Sequence, residues 1–209
     1  MNTTHIIGVD VGQRRDFTAL ALLERTTEQR DPLPGTTARR AVSVYTMVQL
    51  DRVRQESYEA VADSVARLMQ RPELVGAILV VDETGVGAGM TDMLRARRLK
   101  PHCVTITGGE QVTRDGMRVR VPKKDLVLTV DLLLEGRRLK IPPELPDART
   151  LIEELHNFKT TVRLNGHEAY GAGTDWREGA HDDMVLATAM AAWHGEQRSP
   201  SRRLYSFPY

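Results

Sequence analysis

Three places in this 209-residue chain carry carboxylates at the edge of strongly hydrophobic sequence. Asp10 closes the run HIIGVD, and Asp82 closes GAILVVD. The adjacent pair Asp182-Asp183 opens HDDMVLATAMAAW, whose remainder is almost wholly apolar. Brought together in water-poor surroundings, such groups repel one another and stay ionised only if cations neutralise them. Oxygen-only donors of this kind suit Mg²⁺ or Mn²⁺ rather than zinc. Two such ions about 3.5–4 Å apart could activate a water and stabilise the leaving oxygen in phosphodiester cleavage. Asp16, at the start of the next apolar run, could add a further carboxylate.

Each position also has a plain structural explanation. An Asp at a strand end commonly starts a turn. An Asp ahead of a helix caps it, which stabilises by ~1 kcal/mol. Only one residue can occupy the cap, so capping does not readily account for both Asp182 and Asp183. The joint arrangement is harder to explain than any single member.

The elements around these residues follow from their patterns. HIIGV reads as a buried strand and FTALALLE as a second one in a hairpin with it. After the loop RDPLPGTTARR, AVSVYTMVQL reads as a third strand. YEAVADSVARLM has its apolar residues on one helical face and stops near Arg71-Pro72. GAILVV is a continuous apolar run, as in a central strand covered on both faces. The glycine-rich ETGVGAG then reads as a loop, MTDMLRARR as a helix stopped by Pro101, and HCVTIT as a strand. From Gly108 to Val121 the sequence is polar and irregular. PKKDLVLTVDLLLEGRR has helical spacing between Pro122 and Gly136. PDARTLIEELHNF reads as a helix, and FKTTVRLNGHEAYGA as a hairpin turning at Asn165-Gly166. A buried helix begins at Asp183.

The pattern predicts an α/β domain over residues 1–194, a mixed sheet with helices on both faces, and a loosely ordered tail over 195–209. If the strands ending at Asp10 and Asp82 are neighbours, their carboxyl ends meet at one edge, where α/β sheets place ligands. A helix N-terminus aimed there would complete the cluster.

Composition excludes several classes. Hydrophobic residues at 41% suffice for a core without disulfides, and the single Cys103 is a core candidate that fits a reducing cytosol. No signal-peptide layout opens the chain, and no apolar stretch approaches the ~20 residues of a membrane span. The net charge of +1 hides an asymmetry. Between Arg95 and Lys140 stand twelve Lys and Arg against five acids, so that segment carries +7 and the remainder −6. Such a contrast fits either a polyanion-binding face or a solvated helix surface. Lys123, Lys124, Arg137 and Arg138 flank one predicted helix and could contact phosphates. His5, His102, His156, His167 and His194 are scattered without ligand spacing, and no Ser-His-Asp or Cys-His arrangement is legible.

In this order, GVDVGQRRDFTALALLE, VVDETGVGAGMTDML, VPKKDLVLTVDLLLEGRRLKI and EGAHDDMVLATAMAAW resemble the nuclease domain of phage terminase large subunits, from about His5 to Trp193. The resemblance implies an RNase H-like fold that cuts DNA with two divalent metals, Mg²⁺ or Mn²⁺. It implies Asp10, Asp82 and Asp182 or Asp183 as ligands, with Asp10 bridging both ions, Asp82 holding one and Asp182/Asp183 the other. Asp16 would be accessory, and because the family's third ligand can be a neighbouring residue, His181 stays in the set. The Asn165-Gly166 hairpin would match the family's accessory hairpin beside the site. Implied partners are double-stranded DNA and a separate packaging ATPase, small terminase or portal component, in the cytoplasm of a bacterial host carrying the phage or prophage. No G-x-x-x-x-G-K-[ST] occurs, and GVGAG lacks the lysine that would meet phosphates. The expectation is therefore a nuclease without the motor: separately encoded, an excised domain, or a prophage remnant.

Three other readings share parts of this pattern. A RuvC-like junction resolvase also opens on a GVDVG-like strand and ends on an Asp-bearing apolar helix. Such enzymes place Glu on the central strand, and Glu83 is adjacent to Asp82, yet alternation turns only one of the two toward the site. An actin-like ATPase fragment would use GVDVG as a phosphate loop but needs a second domain. A non-catalytic DNA-binding or assembly module would keep the carboxylates as caps and turns.

Overall fold

A computed structural model describes residues 3–12, 17–32, 35, 37–54, 57–85, 87–164 and 182–197, with 158–164 described by backbone alone. Its centre is an eight-stranded mixed sheet. Strands β1 (Thr4–Asp10), β2 (Phe17–Arg30) and β3 (Arg40–Arg54) form an antiparallel meander. β4 (Ile78–Asp82) lies parallel to β1 on its other side, followed outward by β5 (His102–Thr107) and β7 (Arg118–Pro122), also parallel. β6 (Thr113–Asp115) closes that side antiparallel, and the two-residue β8 (Leu139–Lys140) runs along β3 at the other. This is the α/β mixed sheet that the sequence pattern predicts.

Helices cover both faces. α1 (Tyr58–Met69) and α2 (Gly87–Ala96) pack on one, burying Val61, Val65, Leu68, Met90 and Leu94 against Ile7, Val9 and Val81. α3 (Lys123–Glu135), α4 (Ala148–Leu164) and α5 (Asp183–Gln197) pack on the other, over Ile6, Ala19, Ala21, Val80 and Val104. Local chemistry sets the helix limits. The Ser57 hydroxyl caps α1 through the Ala60 amide, and Pro122 and Gly136 bound α3 as expected. None of the described helices is long and apolar enough to cross a membrane.

The structure departs from expectation in four places. The stretch expected to be irregular contains the β6–β7 hairpin, turning at Gly116 with φ 58°. Asp115-Gly116 is the turn signal, and only Val119 and Val121 alternate into the core. α2 starts at Gly87, inside the expected loop, because its first turn lies against the Asp82 carbonyl: a β-carbon on Gly87 would stand 1.9 Å from that oxygen. α4 continues to Leu164, so the first arm of the expected hairpin, from Phe158, is helical. Extending a nucleated helix is easier than starting a strand. The Asn165-Gly166 turn and return arm lie outside the described residues. Finally, α5 runs to Gln197, past the expected boundary at residue 194, and the remaining tail lies outside the described residues.

α5 lies close on β1 because Gly8 has no side chain. A β-carbon there would meet the Ala187 carbonyl oxygen at 2.0 Å and the Ala191 methyl at 3.2 Å. Gly8→Ala therefore forces the helix off the sheet and destabilises by ~2–3 kcal/mol, at the upper end for overpacking. Gly89→Ala, on the exposed side of α2 with nothing within 4 Å, stabilises by ~0.5–1 kcal/mol. Urea midpoints of the two variants check this contrast.

Candidate active site

The register of two parallel strands builds the core of the site. Val9 pairs with Val81, so the next residues, Asp10 and Asp82, stand side by side at the carboxyl ends of β1 and β4. Side chains alternate along a strand. Ile6 and Val80 face the α3–α5 layer, so Gly8, Asp10 and Asp82 face it too. Both aspartates are only 8% exposed. Above them α5 begins, with Asp182 just before the helix and Asp183 as its first residue. The sequence expectation that these three loci meet at one sheet edge describes the observed arrangement.

Their charges are felt mutually. Burial, first, and then the charges of Asp82, Asp183 and Asp182 push the Asp10 carboxyl well above the ordinary carboxylate range. A hydrogen bond between Asp10 and Asp82 acts in the same direction. Close carboxylates of this kind resist being charged together. Asp82 is fixed from behind: one of its oxygens accepts the Thr84 amide at 2.8 Å and the Thr84 hydroxyl. Each helix-start aspartate has its own cation. Lys123 Nζ donates to Asp182 Oδ2 at 3.0 Å, and Arg52 Nη2 donates to Asp183 Oδ2 at 3.4 Å. Among the described residues no three His, Cys, Asp or Glu side chains are grouped so as to hold an ion in this conformation. Asp16 and His181 lie outside the described residues.

Two residues of the site were not singled out in the sequence. Arg52 follows Leu50 by two positions on β3, so alternation places it on the same face. Glu154 lies one turn beyond Leu151 and next to Leu155 on the buried side of α4. Burial, with the Asp183 and Asp182 charges, pushes Glu154 up to about 7 against the opposing pull of Arg52.

The four basic residues expected to meet phosphates separate. Lys123 is in the carboxylate cluster, and Lys124 pairs with Glu110. Arg137 is exposed at the far end of α3. Arg138 is buried, donating to the Ser43 carbonyl at 2.7 Å and to Glu196 at 2.6 Å, so it is a structural residue rather than a phosphate contact. The positive segment is similarly occupied: Arg97, Arg118 and Lys140 pair with Glu59 and Asp63, Glu83, and Glu28 from the acidic remainder. Glu83 faces away from the aspartates, as alternation requires, and is gripped by Arg118 at 3.0 Å. The central-strand glutamate of a junction resolvase thus has no counterpart at this site.

The profile of the terminase RNaseH-like domain family matches residues 7–194. Among solved structures, the chain is similar to the large terminase nuclease from thermophilic phage G20c, at 17% identity and a TM-score of 0.54. It is also similar to that nuclease with bound cobalt, at 18% and 0.56. Both alignments cover 91% of this chain and 81% of the other. At these identities the likeness shows the fold. No curated protein matches the chain.

The raised Asp10 carboxyl has a definite consequence for stability without metal. The folded protein binds the proton more tightly than the unfolded chain, so stability falls as pH rises above the unperturbed value near 4. Asp10→Asn removes that penalty. In EDTA its melting temperature should exceed that of the wild type at pH 8. The gap should close toward pH 4.5. Thermal unfolding at the two pH values measures it.

Proposed function

This chain belongs to the terminase RNaseH-like domain family, and we propose that it is a divalent-metal-dependent DNA endonuclease acting during packaging of viral or prophage DNA. The observation that carries the reading is the pair of buried strand-end aspartates, with two more at the facing helix start. Burial and then their mutual repulsion disfavour the charged form of Asp10 unless a cation neutralises the cluster.

The donor set fits the hard cations Mg²⁺ and Mn²⁺, being oxygen-only and anionic. Asp10 and Asp82 would hold two such ions with Asp182 or Asp183, Asp16 being accessory and His181 a further candidate. When bound, the ions supply an acidified water for attack on the phosphodiester and stabilise the leaving oxygen. The protein's own contribution is placement. Thr84 fixes one Asp82 oxygen, the sheet register fixes Asp10 beside it, and α5 fixes the other two carboxylates above. Lys123 sits beside Asp182 at the start of α3, where its ammonium can meet a phosphate. With aromatic residues at 5%, base stacking has little to work with, and duplex DNA held by its backbone is the preferred substrate. The reading places the chain in the bacterial host's cytoplasm, with a separate packaging ATPase, small terminase or portal component to bring it to DNA.

Supercoiled plasmid incubated with Mg²⁺, Mn²⁺ or EDTA tests the proposal. Nicking should require metal and fall more than about 100-fold in Asp10→Asn and Asp82→Ala, beyond what loss of a supporting residue brings. Glu83→Gln, altered on the opposite face, should cut at close to the wild-type rate. Undiminished cutting by both aspartate variants would refute the assignment.

A further inference from the structure

The sheet carries the site two strands further than the aspartates reach. Asp10 pairs with Ala19 on β2, and Ala19 pairs with Arg52 on β3. Asp82, Asp10, Ala19 and Arg52 therefore form a row across four adjacent strands, all on the face beneath α5. Strands lie about 4.8 Å apart, which puts the Arg52 backbone about 10 Å from that of Asp10. Ala19 is the small buried residue between them, and Asp183, the first residue of α5, reaches Arg52.

Arg52 is held on three sides. Its guanidinium lies 3.8 Å from the centre of the Phe17 ring, 3.4 Å from Glu154 of α4 and 3.4 Å from Asp183. The Arg52, Glu154 and Asp183 side chains are only 14%, 8% and 15% exposed. Ion pairs this sheltered are screened less by solvent and salt than surface pairs are. Arginine suits the place because its planar fork can meet two carboxylates while its face lies on an aromatic ring. Lysine can satisfy only part of that set.

Building on the nuclease reading, we propose that Arg52 is a positioning residue for the reaction: anchored by Glu154 and Phe17, it holds the carboxylate of Asp183, a proposed ligand of the divalent ions, in place. Groups behind metal ligands typically change affinity by about 10–100-fold when removed.

Three measurements on the full chain test this. In EDTA, the melting-temperature shifts of Arg52→Met and Asp183→Asn should be non-additive in the double variant, since they report one contact. Calorimetric titration with Mn²⁺ should show affinity weakened by about 10–100-fold in Arg52→Met, with Arg52→Lys between it and the wild type. On plasmid, kcat should fall while KM stays within roughly twofold, because Arg52 acts through a ligand rather than on DNA. Glu154→Gln, milder for folding, should shift Mn²⁺ affinity in the same direction. Wild-type affinity and kcat in folded Arg52→Lys and Glu154→Gln would overturn the positioning role while leaving the nuclease reading intact. If the wild type bound no Mn²⁺, the nuclease reading would fail and the role of Arg52 would fail with it.

Discussion

Burying Asp10 beside Asp82 sets like charges at the end of a hydrophobic strand pair, and their repulsion is the constraint that the surrounding structure answers. Desolvation and three neighbouring carboxylates all act against the charged form of Asp10. The protein offsets this locally through the Thr84 donors on Asp82, Lys123 on Asp182 and Arg52 on Asp183. The start of α5 adds the partial positive charge of the helix dipole beside the cluster.

Such a cluster is useful only if the helix above it cannot drift. α5 is tied at both ends. Near its start, Gly8 lets Ala187 and Ala191 lie on β1. At its far end, Gly195 sits against Tyr45 and Ile6, where a β-carbon would stand 2.6 Å from the Tyr45 ring. Arg25 donates to the Gly195 carbonyl at 2.9 Å, while Tyr45 and Arg138 both donate to Glu196. Arg138, a cation that sequence position alone suggested for DNA, thus holds the helix end about 20 Å from the carboxylates.

Much of the site was legible in the sequence because it rests on local patterns. Asp10 and Asp82 stand out at the ends of apolar strands, and Asp182-Asp183 at the head of an apolar helix. Neighbouring parallel strands then bring them together. The arginine and glutamate behind them were not legible in the same way. Arg52 and Glu154 look like ordinary surface charges until strand and helix parity place them inside, and their partners come from β2 and α5, distant in sequence. The charge asymmetry left two readings open for a related reason. The positive segment meets its counter-ions through tertiary contacts such as Arg97 with Asp63 and Lys140 with Glu28, which no linear count reveals. The β6–β7 hairpin was hidden by polar residues on its exposed face, although Asp115-Gly116 carried a readable turn signal.

The central claim is that the four carboxylates form a seat for divalent cations, and anomalous diffraction from a crystal grown with millimolar Mn²⁺ tests it most directly. Manganese peaks are expected within about 2.0–2.3 Å of the Asp10 and Asp82 carboxylate oxygens, with Asp182 or Asp183 completing the coordination. A well-ordered crystal with manganese bound elsewhere and none at Asp10 would contradict it.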